Sequence, residues 1–432
     1  MDNQRWQTEP ILVSSAIRGA GTVHQKISSE WRSQPSEEWS GNSRPYRSAL
    51  LGVLACSGTI MILLHGVGLG NSWTSAGLII IPIAILIAAG RYELTLWDYT
   101  LWDSVFILFV LWLGVSITIN GLTSPKENAL LVLTLATYPA ARFSGVAGRA
   151  FFIVVAVVGL LGLACVGVEL WRQWGDAHGK PLVFGLYDAA PAQVFLCFAL
   201  LLMGAVASHM SRGWLFASYG LAAIALTILS ASLVRFSFLA LMGVMLCEAV
   251  LSPRTRTKAL AAAILIAASW GAGYFARLES AEKVAIAISA EPDPTYLPPQ
   301  YLPSTPCDGV NPYSSISIRK RLIADIVAAL PHAGFFGHGL SSFRTMTCVD
   351  LPSHVTVAQA IIEFGWPAGL LLLLLLIGPF LRAARERSAE ARFAVMAFLF
   401  AASISLVHGN LARDGLLFLF VGFLAKYSAR LE

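Results

Sequence analysis

The chain has 432 residues, of which 56% are apolar and only 13% are charged, and its mean hydropathy is +0.68. A soluble domain with one core cannot bury that much apolar surface, whereas repeated apolar runs of about twenty residues are typical of helical membrane proteins. A transmembrane β-barrel would show alternating segments of about ten residues instead. The net charge of +5 requires no nucleic-acid partner, because excess Lys and Arg in a membrane protein mostly determine topology.

The polar beginning of the chain, residues 1–47, is rich in Ser, Gln, Glu and Arg and has no hydrophobic periodicity. We expect a disordered cytosolic tail, because such a composition cannot form a core. No cleavable signal peptide is expected, since the first apolar run begins only near Ala49.

Twelve apolar segments predict an all-α integral membrane protein, with the fourth segment the shortest and with Pro139 near its end. Nine of them lie within 48–275 and three within 355–432, which ends in a short cytosolic C-terminus. Residues 276–354 are too polar for lipid and predict one large loop that contains short helices. The segments are 48–66, 73–90, 100–119, 127–141, 149–170, 190–208, 213–231, 234–251, 258–275, 355–381, 392–409 and 412–427.

The basic residues predict the orientation of these segments. If the N-terminus is cytosolic, most Lys and Arg fall on the inner side, as the positive-inside rule requires. Both termini are then cytosolic, and the large loop is extracytoplasmic. The inner residues are Arg44, Arg47, Arg91, Arg142, Arg149, Arg212, Arg254, Arg256, Lys258, Arg382, Arg385, Arg387, Arg392, Lys426 and Arg430, and the short outer loops carry Lys126, Arg172, Lys180, Arg235 and Arg413.

Within the large loop, residues 279–290 predict a short amphipathic helix, and the proline-rich stretch 291–306 predicts an extended loop. Residues 317–330 have helical spacing and end before Pro331 and the glycines of GFFGHG. The apolar side of that helix is expected to contain Leu322, Ile323, Ile326, Val327 and Leu330.

Two of the six cysteines, Cys307 and Cys348, lie in the large loop. On an oxidising face of the membrane they would form a disulfide, and otherwise they would remain free thiols. The other cysteines lie in apolar runs and are expected to pack as small hydrophobic residues.

Arg235 lies in the tight outer loop between two predicted spans. An ionisable group next to lipid is costly, which makes it a functional candidate. The alternative is an interfacial arginine whose guanidinium reaches the headgroups. Because topology disfavours an arginine in a short outer loop, we favour a functional role.

Further basic residues of the outer helix and its turn are candidates for binding an anion. Guanidinium groups match phosphate oxygens bidentately, so Arg319, Arg321 and Arg344 are favoured over Lys320. Consecutive helical positions point in different directions, so at most one or two of 319–321 can reach a common pocket. The alternative is a solvated helix face.

Histidines supply the candidate proton acceptors. His354 lies where the large loop meets the tenth segment, and an imidazole can accept a proton from a hydroxyl nucleophile. His338 lies upstream in the glycine turn. A second polar cluster contains His408, Arg413 and Asp414, which could instead cap two helices.

Glu363 follows His354 by nine residues, which on one continuous helix is about 13–14 Å along the axis and on roughly the opposite face. We therefore expect it to bond a neighbouring helix rather than to share a pocket with His354. The sequence has no Walker A, HExxH, paired CxxC or GxSxG motif, and the first outer loop, GVGLGNSW, has no carboxylate. This predicts Arg/His chemistry without a metal or another cofactor.

Two stretches resemble the bacterial family of O-antigen ligases and O-antigen polymerases. RKRLIADIVAALPHAGFFGHGLSSF, residues 319–343, is similar to a family segment in which an outer helix opening with Arg leads into a Gly-x-Gly turn. HVTVAQAIIEFGWPAG, residues 354–369, places His, Glu, Gly and Pro at the family's spacing. The Ser232–Arg235 segment is similar to a Ser-Arg element, with two residues intervening. The chain differs from the family pattern at three positions. It has Val355 where the family has Asn, Gly334 where the family has Pro, and Ile323 where the family has Trp.

The resemblance implies a glycosyltransferase at the periplasmic face of the bacterial inner membrane. Its donor would be an oligosaccharide on undecaprenyl diphosphate, and its acceptor a glycan or lipid A–core, with other polysaccharide-assembly proteins as partners. Together with the residue patterns above, this predicts His354, Arg235 and Arg319 as the catalytic residues, with Arg321 as the alternative to Arg319 for binding the diphosphate. Substrate would also be bound by Arg321, Arg344, His338 and Arg413, and structural roles would fall to Glu363, Gly337, Gly339 and Gly365.

Three alternatives remain open at this stage. A polymerase that extends a surface polysaccharide is favoured slightly over a ligase that transfers the glycan to lipid A–core. A lipid-linked oligosaccharide flippase would require repeats and paired broken helices, which the sequence does not indicate. A membrane scaffold without activity would make the Arg and His positions coincidental.

Overall fold

A computed structural model of the chain describes residues 45–91, 99–122, 124–144, 147–174, 181–279, 307, 310 and 315–428. Nearly all of the predicted tail, the predicted helix over 279–290 and the proline-rich stretch lie outside these residues. Sixteen α-helices occur in the described part of the chain. They are α1 Pro45–Ala55, α2 Ser57–Gly66, α3 Ser72–Arg91, α4 Leu101–Asn120, α5 Pro125–Ser144, α6 Arg149–Arg172, α7 Ala190–Ala207, α8 Arg212–Ala231, α9 Phe236–Leu251, α10 Arg256–Ala276, α11 Ser315–Ala329, α12 Ser342–Met346, α13 Thr356–Phe364, α14 Trp366–Ala383, α15 Ala389–His408 and α16 Gly415–Ser428.

The twelve predicted apolar segments all coincide with helices, and the described residues contain no strand, which confirms a helical membrane protein. Within the described ranges, eight helices are long and apolar enough to cross a bilayer, or nine if the bent pair α1 and α2 is one span. Helices α9 and α16 have 16 and 14 residues, shorter than the ~20 that a bilayer requires. Helix α5 has the length of a span but a more polar sequence.

Two predicted segments are broken rather than continuous. Helices α1 and α2 meet at an angle of 74° around Cys56. The predicted tenth segment divides at Gly365, whose φ of +90° is incompatible with a right-handed helix, and Pro367 follows in the first turn of α14. Conversely, Pro139 neither ends nor shortens α5, which continues to Ser144.

The large loop has a small core of its own beside the main core of the bundle. Its members come from α11, α12, α13 and the turn before α13, which fixes these short elements to one another. Two side chains of the predicted apolar side of α11, Ile323 and Val327, are exposed instead, whereas Leu322 and Ile326 are buried in the small core. The small core contains Leu322, Ile326, Phe343, Val349, Ala358 and Ile362.

A disulfide joins Cys307 to Cys348, with a Cα–Cα distance of 5.6 Å. Cys348 packs at the edge of the small core, so the bridge ties residue 307 to the folded end of the large loop. The two cysteines are 41 residues apart, and closing a loop of this length restricts the unfolded chain.

Buried ion pairs connect separate helices of the bundle. Arg142 on α5 lies 3.1 Å from a carboxylate oxygen of Asp103 on α4, and Tyr138 donates to the same carboxylate. Arg392 on α15 pairs with Glu248 on α9, where both side chains are at most 4% exposed. Each charge is compensated, as burial in an apolar bundle requires.

Candidate functional site

A cavity of about 1140 Å³ brings together charged residues that are far apart in the sequence. One part of its wall is apolar and comes from helices α1, α3, α5, α7, α9, α15 and α16, with side chains such as Leu54, Ile79 and Phe400. The other part is polar and comes from helix ends and loops. Of the residues predicted from the sequence, Arg235, Arg319, His354 and Arg413 all line this cavity.

Arg235 reaches the cavity from the turn between α8 and α9, where it is half-buried. The turn contains Leu233 in a left-handed conformation with φ of +61°, and Ser232 Oγ donates to the carbonyl of Leu229. Buried Arg277 donates to the carbonyl of Ala231, 3.1 Å away. These contacts fix the turn from which the Arg235 side chain extends.

Arg319 enters the cavity from the first turns of α11. Its Nη2 lies 3.3 Å from Nε2 of His408, and because a guanidinium only donates, the imidazole nitrogen is the acceptor. Burial lowers the pKa of Arg319 from its ordinary value, yet an arginine stays charged at neutral pH. A fixed positive charge therefore lies at the polar end of the cavity.

His354 is held in a left-handed backbone conformation, with φ of +56°. Its carbonyl accepts from the amide of Gly409 at 3.1 Å, and Thr356 Oγ1 donates to the carboxylate of Asp414. These two bonds clamp the start of α13 to the loop between α15 and α16. Such a conformation costs about 1–3 kcal/mol and persists only where neighbours enforce it.

The imidazole of His354 is half-buried, and its ring centroid lies 6.2 Å from that of His408. Burial lowers the pKa of His354, and the positive charge of Arg319 lowers it further. The ring is therefore neutral at pH 7. Its Nδ1 is buried and hydrogen-bonds to none of the described residues. A neutral imidazole close to Arg319 can accept a proton from a hydroxyl group.

The glycine turn GFFGHG interlocks with the break between α13 and α14. The amides of His338 and Gly339 donate to the carbonyls of Ile362 and Glu363, at 3.1 and 2.8 Å. A Cβ atom at Gly337 would lie 2.4 Å from the backbone of Glu363, and one at Gly365 only 1.9 Å from the carbonyl oxygen of Phe335. Glycine is required at both positions, and the contact fixes the helix that begins just after His354.

Three of the predicted binding residues, Arg321, His338 and Arg344, do not line this cavity. Arg321 pairs with Asp325 at 2.9 Å along α11, so of the arginines in 319–321 only Arg319 faces the cavity. His338 is exposed, and its Nε2 lies 3.0 Å from the carbonyl oxygen of His332. The helical register separates Arg319 from Arg321 by about 200°, which explains why only one of them points inward.

Arg344 and Glu363 line a second, smaller cavity of about 180 Å³. Arg344 pairs with Asp350, at 3.3 Å, and Arg413 lines both cavities while pairing with Glu127 at 2.6 Å. Glu363 is 0% exposed and does not line the main cavity with His354. It accepts from Gln359 of the same helix.

Several cavity residues were absent from the predicted site. His408 and Asp414 form a polar cluster in the sequence, but the position of that cluster next to His354 was not evident. Asp188 and Gln193, around the start of α7, also line the main cavity. They belong to no motif, and only the packing of α7 against α15 brings them to this site.

Comparisons with known proteins add no assignment: neither a protein-family model nor a curated protein matches this chain.

Proposed function

We propose that the protein transfers an oligosaccharide from undecaprenyl diphosphate to a glycan acceptor at the periplasmic face of a bacterial inner membrane. In this proposal all twelve apolar segments belong to the membrane domain, the large loop is periplasmic and both termini are cytosolic. The sequence resemblance of residues 319–343 and 354–369 supports the reaction class, and the asymmetry of Lys and Arg supports the topology.

The observation that carries the proposal is the mixed character of the main cavity. Arg235, Arg319 and His354 lie on a cavity whose remaining wall is formed largely by apolar helix faces. An amphiphilic donor has the same two parts, since its diphosphate matches guanidinium groups and its polyprenyl chain matches apolar helices. A polar pocket with arginines alone, or an apolar cavity alone, would not indicate this function, because similar folds and pockets host many chemistries.

The proposed reaction requires few groups. The acceptor hydroxyl attacks the anomeric carbon, the bond from that carbon to the diphosphate oxygen breaks, and undecaprenyl diphosphate leaves with the bonding electrons. Arg235 and Arg319 stabilise the charge that develops on the leaving group. His354 accepts the proton that the acceptor hydroxyl loses. Sugar is thereby transferred, and one proton is released to the solvent when His354 returns to its neutral form.

We favour a polymerase, in which the acceptor is a growing surface polysaccharide, over a ligase, in which it is lipid A–core. The acceptor alone separates these two activities. Reconstitution of the full chain with lipid-linked oligosaccharide distinguishes them: a polymerase lengthens the glycan in the absence of lipid A–core, whereas a ligase releases undecaprenyl diphosphate only when lipid A–core is supplied.

A flippase is the second candidate because one observation favours it. The broken pair α1 and α2 borders the main cavity through Ala55, Ser57 and Gly58, and broken helices surround the binding sites of many transporters. The same reconstitution, carried out in proteoliposomes, distinguishes a flippase from a glycosyltransferase. Movement of the donor across the bilayer without release of undecaprenyl diphosphate, whichever acceptor is present, would exclude the glycosyltransferase.

Metal removal provides a further expectation. In the described part of the chain, no group of three or more His, Cys, Asp or Glu side chains is arranged to hold a metal ion. We expect turnover in the presence of EDTA to equal turnover without it. A loss that added Mg²⁺ or Mn²⁺ restores would contradict the assignment of charge stabilisation to Arg235 and Arg319.

A further inference from the structure

The smaller cavity adjoins the main cavity and shares three lining residues with it, Pro352, Asn410 and Arg413. Its volume of about 180 Å³ can hold several water molecules, or a ligand group of comparable size. Seven of its nine lining residues are polar, and the other two, Leu351 and Pro352, form an apolar patch. A group bound here would lie beside the polar end of the main cavity.

Glu363 contributes an unusual group to this cavity. It is 0% exposed, and its Oε1 makes no hydrogen bond with any residue that the structure describes. The backbone of Ser341 and of Phe343 also interacts with this carboxylate and favours its charged form. Buried polar oxygens are almost always paired, so an unpaired oxygen on a residue that lines a cavity indicates a ligand position.

The orientation of this carboxylate is fixed by Gln359. The amide of Leu411 donates to Gln359 Oε1 at 2.8 Å, and a backbone N–H can only donate. The NH₂ group of Gln359 must therefore point the other way, where it donates to Glu363 Oε2 at 3.0 Å. With Oε2 occupied, Oε1 is the oxygen that is left to accept from a ligand.

Formal charges in the cavity balance one another. Two carboxylates, of Glu127 and Glu363, lie with two guanidinium groups, of Arg344 and Arg413. A simple anion or cation would gain little from such a set. A neutral ligand with several hydroxyl groups would gain more, because each hydroxyl both donates and accepts.

We propose that the smaller cavity is a subsite for a neutral sugar residue, with Glu363 Oε1 accepting from one hydroxyl and Arg344 donating to another. The apolar patch would contact the C–H face of the sugar ring. Resting on the function proposed above, the sugar is the reacting end of the acceptor, which the shared residues place next to the donor cavity. Glu363 and Arg344 thus determine acceptor affinity and not donor affinity.

The test uses purified full-length protein in lipid nanodiscs and two probes. The first is the free oligosaccharide repeat, released by mild acid from the surface polysaccharide of the same cells, with binding followed by saturation-transfer NMR. The second is undecaprenyl diphosphate. We expect Glu363→Gln and Arg344→Gln to weaken oligosaccharide binding about tenfold or more, as loss of a charged hydrogen bond predicts. Binding of undecaprenyl diphosphate should change less than twofold.

Arg321→Gln is the matched control. Arg321 is 45% exposed and pairs with Asp325, much as Arg344 is 43% exposed and pairs with Asp350, but Arg321 lines neither cavity. It should leave both affinities unchanged. If Glu363→Gln does not fold, the exposed Arg344→Gln decides the question alone.

The subsite is excluded if the wild type binds no oligosaccharide, or if the variants bind it as well as the wild type does. It is also excluded if the variants bind both probes more weakly, which would indicate a general effect on the fold. A wild type that binds oligosaccharide in a Glu363-dependent manner, but neither binds nor releases undecaprenyl diphosphate, would retain the sugar subsite and refute the proposed transfer reaction.

Discussion

His354 combines a left-handed backbone conformation with a half-buried, neutral imidazole. The strained backbone is maintained by the amide of Gly409, and the charge of Arg319 disfavours protonation of the ring. A base for a hydroxyl nucleophile needs both a fixed position and an unprotonated ring. The environment of this one residue therefore supports the proposed chemistry more strongly than its place in the sequence does.

Replacing His354 by Asn should separate catalysis from structure, because Asn tolerates a left-handed conformation. We expect turnover to fall about 10²–10⁴-fold, as removal of a general base predicts, while undecaprenyl diphosphate binds as before. Steady-state rates and ligand binding in nanodiscs check this. His332→Asn, at an exposed position away from both cavities, serves as the control. Wild-type turnover of His354→Asn would remove this residue from the mechanism.

The pH dependence of turnover should report the same imidazole. Because burial and Arg319 lower the pKa of His354 below its ordinary value near 6.5, the rate should rise with pH on the acid side and level off by neutral pH. In Arg319→Gln the nearby positive charge is lost, so protonation becomes easier and the rising limb should move to higher pH. Arg321→Gln should leave the limb in place. A limb that stays fixed in Arg319→Gln would show that another group titrates.

Among the structural elements, the glycine turn and the break at Gly365 position the site without lining the main cavity. Their interlocked backbones fix α13, and α13 begins just after His354. Side chains from α4 support the same contact, since Ser116 Oγ donates to the carbonyl of Phe336 at 2.6 Å and Trp112 Nε1 to that of Phe364 at 3.0 Å. The large loop is thereby anchored to the membrane bundle.

Two glycines of this turn allow a controlled comparison. Gly334 and Gly337 both have positive φ, but a Cβ at Gly334 meets no atom within 4 Å, whereas one at Gly337 meets backbone at 2.4 Å. Gly334→Ala should cost about 1–2 kcal/mol for the left-handed conformation alone. Gly337→Ala should destabilise the protein more than Gly334→Ala does. We therefore expect it to lower the thermal unfolding temperature, measured in detergent, by a larger amount. Equal effects of the two substitutions would contradict the close contact.

At the level of the whole molecule, a buried ion pair joins two helices that are far apart in the chain. Glu248 and Arg392 connect α9 to α15, and α15 also contributes Phe400 and His408 to the main cavity. The pair thus helps to fix the position of α15, which carries these two residues of the cavity. Aligning the helices in this way is a role that no local motif could encode.

Breaking the pair should be costly. Glu248→Ala leaves the charge of Arg392 buried without a partner, and we expect a destabilisation of about 3–5 kcal/mol, read as a lower thermal unfolding temperature. The double variant Glu248→Leu/Arg392→Met should recover much of the loss, because it removes both charges. Glu169→Ala, whose partner Arg172 is 68% exposed, should cost at most about 1 kcal/mol. A double variant no more stable than Glu248→Ala would indicate that packing, not charge, is lost.

The sequence alone determined the class of protein and the outline of its helices. Apolar runs must become helices in lipid, because backbone groups there have no other partners, and all twelve predicted segments coincide with helices. It also directed attention to Arg235, since an ionisable group near lipid is costly. Arg319 was a candidate because guanidinium groups match phosphate, and His354 because an imidazole can accept a proton. The breaks at Cys56 and Gly365 were missed, because hydropathy is the same on both sides of a bend.

Only the tertiary structure decided how the candidate residues are grouped. Helical periodicity gives the direction of a side chain about its own axis but not which helix lies opposite. Nothing local could therefore show that Arg319 rather than Arg321 faces His354, or that Asp188 and His408 join them. The helical spacing predicted that Glu363 would not share a pocket with His354, but only the packing of distant segments places Glu363 on a second cavity. Packing between distant segments, which depends on every helix at once, determines the site.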